Sequence, residues 1–218
     1  MLLSSRSIIP LYIIVASIVV LTDWTRLADT ANLTRENGSV ETMSMVGYLA
    51  ALAVYLLRSG KQTFWPVPVV LGLMALREFD ADKRFTSEGL LSTNIFSADT
   101  LLWEKGLAVG LWALLVCTLF TLIRYRAAPF AAALRTGSRW AILLLAAIGI
   151  AAFSKSIDGL ARKLSPLNID VSDQVSAGAG TLEEMLELLI PVLFMLAMTR
   201  KKDRQDARVS DDAMQPAE

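Results

Sequence analysis

Apolar positions in this chain fall in long unbroken blocks rather than at a helical or strand period. "IIPLYIIVASIVVL" (8–21) and "AILLLAAIGIAAF" (141–153) are the clearest. Segments apolar on every side have the pattern of helices surrounded by lipid. A hydrocarbon core of about 30 Å is crossed by about 20 residues. Six segments approach that length: 7–24, 39–58, 63–80, 101–123, 139–158 and 181–199. The predicted fold class is therefore all-α, a polytopic six-transmembrane-helix bundle over residues 1–199. Residues 200–218 are expected to be a polar, disordered cytoplasmic tail.

Composition agrees. Of 218 residues, 54% are hydrophobic and 19% charged, where soluble domains carry about 25% charged residues. "TDWTRLADTA", after the first apolar block, lacks the small neutral residues of a cleavage region, so that block reads as a retained helix.

The charges then give an orientation. With six spans both termini share a side, which would hold Arg6, Arg58, Lys61, Arg124, Arg126, Arg135, Arg139 and five bases of the tail. That is twelve bases against five acids, a balance of +7, and the other side carries −7. By the positive-inside rule both termini are expected to be cytoplasmic. The expected location is the inner (cytoplasmic) membrane of a bacterium. "RYRAAPFAAALRTGSR" (124–139) reads as a short helix on the inner leaflet.

Charged residues also reach into the outer ends of the spans. From Trp65 to Leu76 a helix rises only about 18 Å, so a continued helix keeps Arg77, Glu78 and Asp80 within the membrane. Such a helix would pair Glu78 with Asp82, and Asp80 with Arg84, at i, i+4. Counting from the cytoplasmic ends places Glu41, Glu104, Lys155 and Asp158 at or near the same depth. Glu187 lies about 9 Å deeper than Thr181. Thr181 and Glu184 have capping-box spacing, which gives Glu183 and Glu184 a structural role at a helix start. Glu187 lies beyond such a cap, and an intramembrane acid marks a functional site by default. A helix through "SKSIDGLARK" (154–163) would place Lys155, Asp158 and Arg162 on one face, although Gly159 threatens it.

Two chemistries follow. Carboxylates at Glu41, Glu78, Asp82 and Glu187, with the hydroxyls of Ser44 and Tyr48 on the face of Glu41, form an oxygen-only set that suits a hard divalent cation such as Mg, Ca or Mn. With Arg77, Lys155, Asp158 and Arg162 added, a mixed-charge binding site suits a phosphate or zwitterionic head group. Histidine is absent, which removes imidazole zinc sites, Ser-His-Asp triads and histidine proton relays. Alkaline ceramidase-like enzymes and CAAX-type intramembrane proteases both use catalytic histidine, so the chain is assigned to neither. No haem, zinc, nucleotide or nucleic-acid signal is present. Cys117, alone and mid-span, reads as an apolar filler.

The favoured expectation is a binding or accessory protein with an outer polar site for a lipid head group, a divalent cation or another membrane protein. One alternative is a carboxylate-dependent hydrolase or transferase acting on a lipid or lipid-linked substrate. In it Glu187, Glu78 or Glu41 is the catalytic acid or base and Arg77 or Lys155 steadies an oxyanion. The other is a small proton- or cation-coupled carrier.

Overall fold

A computed structural model describes residues 5–27, 38–60, 63–80 and 86–214. Among them no strand occurs. The helices are α1 (Ser5–Leu27), α2 (Ser39–Ser59), α3 (Pro66–Glu78), α4 (Asn94–Ser97), α5 (Leu102–Arg135), α6 (Arg139–Ile157), α7 (Leu160–Leu164) and α8 (Asp173–Met214). Ser7–Thr25 within α1, and α2, α5 and α6, make four helices long and apolar enough to cross a membrane, and on that ground this is a membrane protein.

The expected spans 63–80 and 181–199 fall short of that standard for different reasons. Helix α3 has 13 residues, about 20 Å of rise. Pro66 opens it, where a missing N–H costs nothing, and Asp80 closes it by turning left-handed, with φ 49°. The Phe79 and Asp80 amides turn back onto the Ala75 and Arg77 carbonyls. Asp tolerates this conformation better than most residues do. The helix therefore ends at Glu78, and the expected pairings Glu78–Asp82 and Asp80–Arg84 reach residues beyond it. Asp82 and Arg84 themselves lie outside the described residues. Helix α8 is ample in length, at 42 residues, but its apolar stretch carries Glu183, Glu184 and Glu187.

Three further expectations are corrected. The basic segment 124–139 is not a separate surface helix, because α5 runs through Pro129 to Arg135 over 34 residues, about 51 Å. "GTLEE" is not a helix start. Helix α8 begins at Asp173, and Thr181 bonds the Ala177 carbonyl one turn back at 3.1 Å, so no capping box forms. The segment from 200 stays helical to Met214.

Pairings along the helices fix their directions. Ser44 reaches the Glu187 carbonyl and Arg58 reaches the Thr199 carbonyl, so α2 and α8 run parallel. Tyr55 bonds both backbone groups of Phe64 at one end, while Glu78 meets Ser44 at the other, so α3 runs antiparallel to α2. Lys155, near the end of α6, contacts Glu183 early in α8. Arg126 of α5 lies 4.3 Å from the Phe64 ring centre, at the end of the bundle away from Ser44.

Backbones approach closely at one point. A Cβ on Gly47 would lie 2.5 Å from the Tyr12 hydroxyl and 2.7 Å from Pro191 Cγ, so only glycine lets α1, α2 and α8 meet. Beneath it Ala51, Val54 and Met195 are wholly buried. Helix α5 lies outside this core, and Trp112, Val116, Phe120 and Ile123 are exposed on its surface. Cys117 is exposed there too, not packed inside.

Candidate functional site

The charged side chains of α3, α6 and α8 meet at the end of the core where Ser44 and Tyr48 lie. Glu187 is the centre. Its Oε1 receives Arg77 Nη2 at 2.8 Å and lies 3.3 Å from Lys155 Nζ. Lys155 also reaches Glu183 Oε1 at 2.8 Å and Asp158 Oδ2 at 3.4 Å. One ammonium thus faces three carboxylates, with hydrogen bonds to Glu183 and Asp158 and an ion pair to Glu187. Arg77 differs, since among the described residues it spends a single hydrogen bond, on Glu187. A guanidinium has five donors in a rigid fork. The side chains of Arg77 and Lys155 are 40% and 44% exposed, against 15% for Glu187, so the cations form the outer layer.

Helix geometry explains why Glu187 is held so firmly. Pro191 has no N–H to offer the carbonyl four residues back, which is that of Glu187. The Ser44 hydroxyl supplies the missing donor across the helix interface at 3.4 Å. Ser154 reaches toward the Glu183 carbonyl in the same way, at 3.5 Å. The two carbonyls behind the acid cluster are thus met from α2 and α6, which fixes the turn that presents Glu183 and Glu187.

Glu78 lies deeper and is 8% exposed. It is within hydrogen-bond reach of Ser44 and feels the charges of Glu187, Arg77 and Glu41. Tyr48, one turn below Ser44, is fully buried, and its hydroxyl has no hydrogen-bond partner. That hydroxyl lies within the field of Glu78, Arg77, Glu187 and Tyr12. Glu184 Oε2 is likewise buried without a partner, close enough to feel Glu41, Glu187, Glu183 and Glu78. Tyr12 is not part of this deficit, because its hydroxyl donates to the Met43 carbonyl at 2.9 Å.

The structure therefore brings together Arg77, Glu78, Lys155, Asp158 and Glu187, with Glu41 half-buried in the first turn of α2 beside them. Arg162 does not join. Helix α6 stops at Ile157, Gly159 takes φ 59°, and the Arg162 guanidinium lies back against Gly159. The continuous helical face through 155, 158 and 162 does not exist. The expected cation site loses support as well, because among the described residues no three acids are grouped to hold a metal ion. Glu187 Oε1 is already taken by two cations, and Asp82 lies outside the described residues. Glu104 also stands apart, buried and bonded by Ser87 at 2.7 Å.

Sequence reasoning missed Tyr48 as an orphan, and it missed Glu184 as a member of the cluster rather than a cap. It also passed over Pro191. A proline four residues after Glu187 was the available signal, because it frees the carbonyl of that acid.

No protein-family model matches this chain, and neither a curated protein nor a solved structure matches it.

Proposed function

We propose that this protein is a six-span bundle of the cytoplasmic membrane, with both termini inside, that binds phospholipid head groups at its extracytoplasmic end. The observation that carries this reading is Arg77, a partly exposed guanidinium anchored through one bond to Glu187 and with its other donors unspent. A fork of that kind suits the oxygens of a phosphate. Lys155 is already committed to three carboxylates and acts as the brace that holds Glu183 and Glu187 in place.

Alternating helix directions support six crossings. Helix α3 would cross with Phe64 and Trp65 at its entry and Arg77 and Glu78 still at bilayer depth. Arg58 and Arg126 lie at the opposite end of the bundle from Glu187, in keeping with a cytoplasmic face there. Glu187 is poorly placed as a general base, because its Oε1 is occupied by two cations. A carrier path is also disfavoured, since Ala51, Val54 and Met195 fill the core below with no exposed surface.

The test uses the full chain in nanodiscs, with bound phospholipid counted by native mass spectrometry. Arg77→Gln should lower retained phospholipid about tenfold, the loss of one charge-assisted phosphate pair. Equal retention in a folded Arg77→Gln variant overturns the reading. Conversion of the bound lipid to a new product, lost in Glu187→Gln, would replace it with the enzyme.

A further inference from the structure

We infer that Glu78, Glu184 and Tyr48 form a receptor for a primary ammonium group, so that the site takes a phosphate and an amine together. The inference rests on the head-group reading above and adds its second half.

The first ground is an imbalance of charge in a place where charge is costly. Among the described residues, Glu78 and Glu184 have no cation within ion-pair distance. Arg77 is engaged by Glu187, and Lys155 by Glu183, Glu187 and Asp158. Glu78 is nevertheless 8% exposed, and Glu184 Oε2 is shut away from solvent without a partner. A carboxylate removed from water at this depth calls for a compensating positive group.

The second ground is independent of the acids. The Tyr48 hydroxyl is fully buried, has no partner, and sits in the field of Glu78, Arg77 and Glu187. Buried tyrosine hydroxyls ordinarily find a partner, and an orphan loses its hydration without compensation. A hydroxyl can donate as well as accept. The Tyr48 oxygen and the nearby Glu78 carboxylate, which has no ion-pair partner among the described residues, would both be met by a group that brings N–H donors and positive charge.

The third ground narrows the cation. A metal ion would need several oxygens drawn into one coordination sphere, and among the described residues no three acids are so grouped. An ammonium group makes separate hydrogen bonds in three directions and accepts a looser arrangement. A quaternary ammonium has no N–H and would leave the Tyr48 oxygen and both carboxylates unmet. Selectivity for a primary amine over its trimethylated form therefore follows. Arg77 and Glu78 are consecutive residues, which puts phosphate and amine recognition side by side at the end of α3.

The experiment reads relative retention of phosphatidylethanolamine and phosphatidylcholine by the full chain in mixed nanodiscs. Wild type should retain the ethanolamine lipid about tenfold more than the choline lipid, the value of one charged hydrogen bond. In Tyr48→Phe and Glu78→Gln that ratio should fall toward one, whereas Glu88→Gln, on an exposed loop, should keep it. Each variant is first checked for monodispersity and melting temperature, and Tyr48→Phe, which keeps the ring, guards against a general packing defect. Soluble methylammonium should compete with the ethanolamine lipid, which assigns the selectivity to the amine itself. Competition by tetramethylammonium instead, or a wild-type ratio near one with lipid still bound, overturns the ammonium receptor and leaves the phosphate reading standing. Failure of wild type to retain any phospholipid overturns both.

Discussion

Helices α5 and α8 are the two longest, and they are built in opposite ways. Helix α5 easily satisfies the apolar requirement for crossing a membrane, yet only Glu104, Ala108 and Thr118 of its 34 residues are buried. Helix α8 fails that requirement because of its three glutamates, yet it packs against α1, α2 and α6 and buries Ile190, Pro191, Met195, Ala197 and Thr199. In water the most apolar helix would be the innermost. In lipid the relation reverses, because apolar side chains are at home outside and charges must be enclosed. A helix that fails the apolar requirement is therefore the one the bundle is built around.

The largest test of that contrast lies at the glycines. Gly47→Leu drives a side chain into Tyr12 and Pro191, and should cost more than about 3 kcal/mol or prevent assembly, the upper range for overpacking. A Cβ on Gly110 of α5 would have open space around it, so Gly110→Leu should change stability by less than about 0.5 kcal/mol. Thermal unfolding in detergent compares them. Similar losses at both positions would mean that α5 is packed as tightly as α8.

Next in size is the ion cluster. Glu187→Ala leaves Arg77 and Lys155 facing one another without the carboxylate between them, which should cost about 1–2 kcal/mol. Breaking a wholly buried pair costs more, but here both cations are about two-fifths exposed and partly screened by solvent. Lys155→Met should cost a similar amount by releasing Glu183 and Glu187. In the double variant the two losses should not add, since each removes part of one network. Simple additivity in a double-mutant cycle would deny the shared anchor.

How far the sequence foretold this depends on what ends each helix. Helices α2 (Ser39–Ser59) and α6 (Arg139–Ile157) lie within a residue of the expected 39–58 and 139–158, because each apolar run is bounded by turn residues. The end of α3 was missed because Asp80, not a glycine, adopts the left-handed conformation. The far end of α5 was missed because hydrophobicity stops near Ile123 while nothing breaks the helix until Thr136. Hydropathy reports lipid, not helix length. The start of α8 was misplaced because Thr181 and Glu184 have capping-box spacing, whereas the helix already runs from Asp173. Arg77, Glu78, Lys155 and Glu187 were legible as a group from depth alone. Tyr48 was legible as an oxygen on the face of Glu41 but not as an orphan, because an orphaned hydroxyl is a statement about what is missing around it, and no residue spacing encodes that.

A smaller effect tests how Glu187 is presented. Ser44→Ala removes the donor to the Glu187 carbonyl and should cost about 1 kcal/mol, the usual net worth of one hydrogen bond. Pro191→Ala restores an amide that can close the ordinary helical bond to that carbonyl. In the Pro191→Ala background Ser44→Ala should therefore cost close to nothing. Because Pro191 is also packed against Gly47, the single Pro191→Ala variant is itself destabilised, so the difference between backgrounds is what matters. An equal Ser44→Ala cost in both backgrounds would mean that the serine acts through Glu78 instead.

The smallest effect returns to α5. The Thr118 hydroxyl is buried without a partner on a helix whose other faces are open to lipid. Thr121, on the same helix, satisfies itself by bonding the Cys117 carbonyl at 2.7 Å. Thr118→Val keeps the shape and removes the unmet oxygen, and should be neutral or stabilising by up to about 1 kcal/mol. Tyr48→Phe makes the same chemical change in the core, where it should gain stability in the empty protein and lose preference for the ethanolamine lipid. Two orphaned hydroxyls would then be separated by function, one merely tolerated and the other kept for a ligand, and a loss of stability from Thr118→Val would show that its oxygen has a partner after all.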